Sequence, residues 1–240
     1  MPPSKAPVPE ISHKEALDIL KAYRRLLQSI PHALSREDLA LIHKAFKQAA
    51  DAHRHQRRRS GEPYIFHPIA VATIVATQMS LDATAIASAL LHDVVEDTDV
   101  TLEDIEREYG PTIARIIDGL TKISGISDSN VSVQAENFRK MLITISNDIR
   151  VILIKLADRL HNMQTMGAMI RQKQQKIASE TLYIYAPLAH RLGLYNIKTE
   201  MEDLSLKYTE PEAYENIVRL LRESDQAQKA YIARFIAEVK

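Results

Sequence analysis

Apolar residues return every three or four positions along almost the whole chain, and strand-type alternation is rare. Such a pattern buries one face of a helix and leaves the other in water. The pattern begins at Ser12, with Leu17, Leu20, Tyr23, Leu26 and Leu27 as the recurring apolar positions. Ser35 with Asp38 has the form of a helix N-cap, opening a second helix that runs to about His53. Further helical stretches are expected at 68–79, 82–95, 101–109, 111–123, 136–146, 148–164, 171–192 and 196–208, and from Pro211 onward. Only six glycines interrupt 240 residues. The reading is an all-α fold with no internal repeat and no heptad seam.

Three stretches break the pattern. The first ten residues contain four prolines and are expected to be disordered. Residues 54–68 carry a basic cluster, a Ser-Gly step and two prolines, which reads as a turn feeding the next helix. Ser124–Ala135 is rich in Ser, Asn and Gly and reads as a surface loop. The chain ends inside a helical pattern, AYIARFIAEVK, without a Gly or Pro stop, which suggests a piece of a longer protein.

Composition bounds the partners. Basic and acidic residues both number 31, so no global field draws the chain to nucleic acid or an anionic membrane. Any affinity for phosphate has to be local. There is no cysteine, which removes disulfides and thiolate chemistry and suits a cytoplasmic protein. The N-terminus lacks an apolar signal region, and the longest apolar runs are too short to span a bilayer.

Three segments carry candidate chemistry. In LLHDVVEDT, helical spacing would put His92, Asp93, Glu96 and Asp97 on one stripe opposite Leu90, Leu91, Val94 and Val95. A merely solvated face reads the same way. In KLADRLHNMQT, Asp158, His161, Asn162 and Thr165 form a polar stripe on a helix that is otherwise apolar. Asp158 is therefore expected inside, where a carboxylate needs a charged partner or a metal. An internal ion pair, for example with Arg159, would also satisfy it. His67, in YIFHP, stands just before a helix, where packing or capping is the alternative to ligation. Two imidazoles and two carboxylates suit a divalent ion of intermediate hardness, Mn²⁺ or Fe²⁺, with open positions for water and substrate. Structural zinc would favour thiolates, which this chain lacks.

HRHQRRRSGEPYIFHP, LLHDVVEDT and KLADRLHNMQT, in this order, resemble the N-terminal hydrolase domain of RelA/SpoT-type stringent-response enzymes. DGLTKI, QAENFRKM and YAPLAHRLG extend the resemblance over roughly residues 20–210. The resemblance implies an HD-domain helical bundle over residues 11–208, with a metal site between helices, and a helical connector over 209–240. The connector would lead to synthetase and regulatory domains absent from these residues. It implies Mn²⁺ held by His67, His92, Asp93 and Asp158, and Glu96 and Asp97 as the pair that aligns or activates water. Arg58 would stack on guanine, Arg59 and Ser60 complete the basic loop, and Asn162 and Thr165 contact the nucleoside.

The implied reaction is removal of the 3′-pyrophosphate of ppGpp or pppGpp, with no direct binding of nucleic acid. Members that only synthesise the nucleotide have a degenerate HDVVED segment, whereas this one is whole, so an active hydrolase is expected. Arg59 stands where the family usually has lysine, His53-Arg54-His55 replaces smaller or acidic residues, and Met166–Met169 replaces a leucine-rich turn. Three other readings stay open: an HD phosphohydrolase for another nucleotide, a catalytically silent nucleotide-binding module, and a structural helical module. The arginines of residues 57–59 could equally be a solvated basic loop.

Overall fold

The computed structural model describes residues 11–124 and 148–239. The expected disorder of residues 1–10, the loop at 124–135 beyond its first residue and the helix at 136–146 lie outside the described residues. Among the described residues every regular element is helical, and an isolated bridge between Arg57 and Pro63 is the sole strand-like pairing. None of their helices is long and apolar enough to cross a membrane.

The chain divides into two compact units after Ala168. In the first, α1 (His13–Ser29) opens on a capping box in which the Ser12 and Glu15 side chains satisfy each other's backbone amides. Its buried residues are Ile19, Tyr23 and Leu26. Leu17 and Leu20, expected on the buried face, are exposed instead. Tyr23 and Leu26 are buried as expected, with the Tyr23 ring stacked on Phe46 at 4.0 Å, and Ile19 rather than Leu17 or Leu20 completes their face. α2 (Arg36–Ala52) has the anticipated Ser35–Asp38 capping box.

Two helices fill the middle of this unit. α3 (Phe66–Gln78) buries His67, Pro68, Ile69, Val71, Ala72, Ile74, Val75 and Ala76. α4 (Ala83–Leu91) buries eight of its nine residues, every one but Thr84. A helix apolar on all sides belongs in a core, and the many alanines let neighbouring helices approach closely. α3 packs on α1 and α4, and α4 on α2. α3 starts two residues earlier than expected, so His67 lies inside its first turn, where Pro68 costs no hydrogen bond.

The expected helix over 82–95 does not run through. It stops at Leu91, turns at His92 and Asp93, and resumes as the single turn α5 (Val94–Asp97). α6 (Leu102–Ser124) is bent at Gly110, whose φ of 82° falls where glycine is favoured, and Pro111 restarts the helix. This is the break expected between 109 and 111. α7 (Ile149–Thr165) buries Val151, Ile152, Ile154, Leu156, Ala157, Leu160 and Met163, packs on α3, and brings Asp158 inside with them.

The second unit contains α8 (Arg171–Glu180), α9 (Ala186–Arg191), α10 (Tyr195–Thr209) and α11 (Pro211–Val239). The expected helix over 171–192 is wider-wound in its middle, with a π turn at Thr181–Tyr185. Gly193, at φ 75°, ends it, and the amides of Gly193 and Leu194 close back on His190 and Ala189.

Candidate metal centre and nucleotide loop

Three buried elements meet at one point. The first turn of α3 supplies His67, the end of α4 supplies His92 and Asp93, and the middle of α7 supplies Asp158. His67 and His92 are each 2% exposed and Asp158 is 6% exposed. His67 Nε2 lies 3.2 Å from Asp158 Oδ1 and 3.5 Å from Asp93 Oδ2. His92 Nε2 lies 2.9 Å from Asp93 Oδ2 and 3.9 Å from Asp158 Oδ1. Two atoms bound to one ion at about 2.1 Å stand about 3–3.5 Å apart, a spacing that these contacts approach except for the longer one between His92 and Asp158.

The break after Leu91 makes the convergence possible. Neighbours i and i+1 on a continuous helix point about 100° apart and cannot face one centre. The turn at His92–Asp93 brings both side chains to the same place, so the single stripe read from helical spacing is replaced by a tighter cluster. Glu96 and Asp97 follow on α5 and are exposed at its rim.

Hydrogen bonding supports a cation here. The ring nitrogen Nδ1 of His92 meets the carbonyl of Ala89 at 2.8 Å. A carbonyl only accepts, so Nδ1 carries a proton. Nε2 is buried without a hydrogen-bond partner although it faces Asp93 at ion-pair distance. A buried imidazole nitrogen fixed by its other ring nitrogen and aimed at carboxylates is the arrangement that a metal-ligating histidine takes. Among the described residues, His67, His92 and Asp93 offer ligand atoms all within 4.8 Å of one another. The donor set is one that a divalent ion fits.

The charges are tuned by the same crowding. Burial lowers the pKa of His92, but the Asp93 and Asp158 charges outweigh it and push it up to about 9. Burial raises Asp93, and the His92 charge beside it outweighs that and holds the carboxyl well below its usual range. Burial would also raise Asp158, but Lys155, at 2.9 Å, together with His67 keeps it ionised. An internal ion pair, one of the ways open to such a carboxylate, is thus present with Lys155. Burial, with the charges of His67 and Arg58, brings His161 down to about 3.

Around this cluster stand residues whose part was not legible in the sequence. Tyr64 donates its hydroxyl to Asp93 Oδ2 at 2.7 Å and lies 3.1 Å from Asp97 Oδ2. Burial, reinforced by both carboxylates, raises its pKa, so it stays a donor. His161 meets His67 through their Nδ1 atoms at 2.7 Å. His53 is buried against the Tyr64 ring at 4.7 Å, with Nδ1 bonded to Gln56 at 2.7 Å. Spacing could not reveal these pairs, because their partners lie on other elements.

The loop between α2 and α3 folds over the site as a small hairpin. Arg58 and Glu62 close it through a backbone bond, and Gly61 takes a φ of 92° at its tip. Its three arginines divide their roles. Arg57 is taken up structurally, with Nη1 2.7 Å from Glu15 Oε1 and 2.8 Å from the Gly61 carbonyl. Its charge is paired with that of Glu15 rather than turned to solvent as in a solvated basic loop. Arg58 donates to Asn162 Oδ1 at 3.1 Å and Thr165 Oγ1 at 3.0 Å, so three of the expected nucleoside contacts form one group. Asn162 in turn donates to Asp158 Oδ1 at 2.6 Å. Arg59 and Ser60 are exposed at the hairpin tip, away from this group of bonds.

Residues 45–195 match the HD domain family. The chain belongs to this family. The chain is 46% identical over 208 residues to guanosine-3′,5′-bis(diphosphate) 3′-pyrophosphohydrolase of Vibrio cholerae serotype O1, covering 86% of this chain and 29% of the relative. It is 43% identical over 219 residues to the bifunctional (p)ppGpp synthase/hydrolase SpoT of Escherichia coli K12, covering 91% of this chain and 31% of the relative. It is also 43% identical over 222 residues to the GTP pyrophosphokinase of Streptomyces coelicolor, covering 92% and 26% respectively. The resemblance drawn from the motifs is borne out. This HD domain spans less than a third of the length of these curated relatives.

Proposed function

We propose that this HD domain hydrolyses the 3′-pyrophosphate of (p)ppGpp, releasing pyrophosphate and leaving GDP or GTP. His67, His92, Asp93 and Asp158 would hold the divalent ion, for which Mn²⁺ is the reading. When bound, such an ion lowers the pKa of water and polarises a phosphoryl oxygen. The observation that carries the proposal is the placement of an exposed acidic pair and an arginine-bearing hairpin against one buried His/Asp cluster.

The chain's own residues then divide the work. Arg58, held by Asn162 and Thr165, presents a flat guanidinium on which a purine can stack. Arg59 and Ser60 at the hairpin tip meet the phosphates. Glu96 and Asp97 take the proton of the attacking water, with Asp97 fixed by Tyr64. The water oxygen bonds to the phosphorus attached to the 3′ oxygen, the bond from phosphorus to that oxygen breaks, and the 3′ oxygen takes up a proton. Positioning and charge neutralisation supply most of the rate in such a displacement. The cytoplasm, where the cysteine-free composition sits comfortably, is the proposed compartment.

The test is release of GDP and pyrophosphate from ppGpp with Mn²⁺ or Fe²⁺, beside Asp97→Ala and EDTA controls. Turnover that disappears in both controls supports the proposal. A folded, metal-loaded chain that binds ppGpp without turning it over would make it a nucleotide-binding regulatory module instead.

A further inference from the structure

Two imidazoles meet through the same atom type: His67 Nδ1 and His161 Nδ1 are 2.7 Å apart. Only one of them can carry the shared proton, so one donates and the other accepts. Arg58 decides which. Its Nη1 stands 3.5 Å from the same His161 Nδ1, and a guanidinium has donors only. His161 Nδ1 is therefore the acceptor for both neighbours, and His67 Nδ1 holds the proton.

The consequence falls on the other side of the His67 ring. With the proton on Nδ1, Nε2 presents its lone pair to Asp158 Oδ1 and Asp93 Oδ2, at 3.2 and 3.5 Å. A lone pair facing two carboxylates is repulsive until a cation stands among them. With His67 as a ligand in the manner proposed above, we infer that His161 is a positioning residue: it fixes the tautomer and ring orientation of His67 so that Nε2 faces the ion.

His161 touches neither the ion nor the reacting phosphorus in this arrangement. It acts through His67, as an acceptor that raises the basicity of the ligand nitrogen. Arg58 holds the other end of the connection, since the same guanidinium is bonded to Asn162 and Thr165 on α7. The residue that would carry the purine is thus one side chain away from a metal ligand. Asn162 makes a parallel link, from Arg58 to Asp158.

Two variants of the whole chain separate this role from packing. His161→Leu keeps the bulk and removes the acceptor. His161→Asn places Oδ1 on the same carbon that bears Nδ1, and so restores an acceptor. Mn²⁺ affinity is measured by titration calorimetry, and folding is checked by circular dichroism. The Leu variant should bind Mn²⁺ about 10–100-fold more weakly, and the Asn variant within about threefold of the wild type. With Zn²⁺ as a diamagnetic probe, the His67 Nδ1 proton should give a slowly exchanging downfield resonance in the wild type and His161→Asn, and none in His161→Leu.

A folded His161→Leu that binds Mn²⁺ as tightly as the wild type would overturn the inference. An Asn variant as weak as the Leu variant would overturn it too, since an acceptor would then not suffice. A wild type that takes up no Mn²⁺ would overturn the metal centre itself, and the positioning role with it.

Discussion

The hydroxyl of Tyr64 donates to Asp93 Oδ2 at 2.7 Å and stands 3.1 Å from Asp97 Oδ2, so one proton serves a proposed metal ligand and a member of the acidic pair. Two carboxylates held this close repel each other, and the shared donor offsets that repulsion. Tyr64→Phe keeps the ring against His53 and removes only the hydroxyl. It is expected to lower turnover of ppGpp by about 10–100-fold, the usual cost of losing a residue that orients a metal ligand. Steady-state kinetics beside a Mn²⁺ titration would check this. A variant with wild-type turnover and metal affinity would show that the bridge is incidental.

Glu15 and Arg57 join the start of α1 to the hairpin through two bonds, at 2.7 and 3.2 Å. The Arg57 hydrogen bond, helped by those from Ser12, lowers the Glu15 pKa from 4.5 to about 2. The folded value lies below the unfolded one, so this pair's contribution is complete above about pH 4.5 and is lost as pH falls towards 2. Glu15→Gln should flatten that part of the stability–pH curve, with the loss relative to the wild type fully present at pH 7 and shrinking as pH falls towards 2. Urea denaturation at pH 5 and pH 3 measures it; an unchanged difference between the two would exclude the link.

Arg58 makes its bonds to Asn162 and Thr165 through one nitrogen, and in the proposed function the plane of the guanidinium receives the base. Lysine has neither the fork nor the plane. Arg58→Lys is therefore expected to raise KM for ppGpp about tenfold, the equivalent of one lost charged hydrogen bond, with a smaller effect on kcat. If kcat fell while KM held, Arg58 would be acting in the transition state rather than in nucleotide binding.

Local pattern was enough to read the helices, because capping and periodicity are local. The Ser35–Asp38 box and the Gly110 bend stand where the residues put them. The burial of Asp158 was also legible, since the apolar run before it leaves a polar side chain nowhere else to go. What failed depended on contacts between elements. On α1 the expected Tyr23 and Leu26 are buried, but Leu17 and Leu20 are exposed and Ile19 takes the inner place, because both repeat at helical spacing. Arg57 looked like its two neighbours until Glu15, 42 residues earlier, was placed beside it. The turn at His92–Asp93 was hidden by a polar and apolar spacing that continues in helical period on both sides of it, and it brings the two side chains to one centre. The grouping of His67, His92, Asp93 and Asp158 was legible in the motifs as two imidazoles and two carboxylates, and the resemblance to known enzymes agreed with it.

Without metal, His92 carries a proton up to about pH 9, against an ordinary value of 6.5, because burial is outweighed by Asp93 and Asp158. An ion that binds Nε2 must displace that proton, so metal uptake at pH 7 should release protons and weaken as pH falls. The stability of the metal-free protein runs the other way. A raised folded pKa stabilises fully below 6.5 and is lost as pH climbs through about 9. The metal-loaded protein has no such proton to lose. The gap in Tm between Mn²⁺-loaded and EDTA-treated protein should therefore widen from pH 6.5 to pH 9. Thermal melts across that range, with calorimetry in buffers of different ionisation enthalpy, would measure both effects. A constant gap with no proton release would mean that His92 is already neutral before the ion arrives.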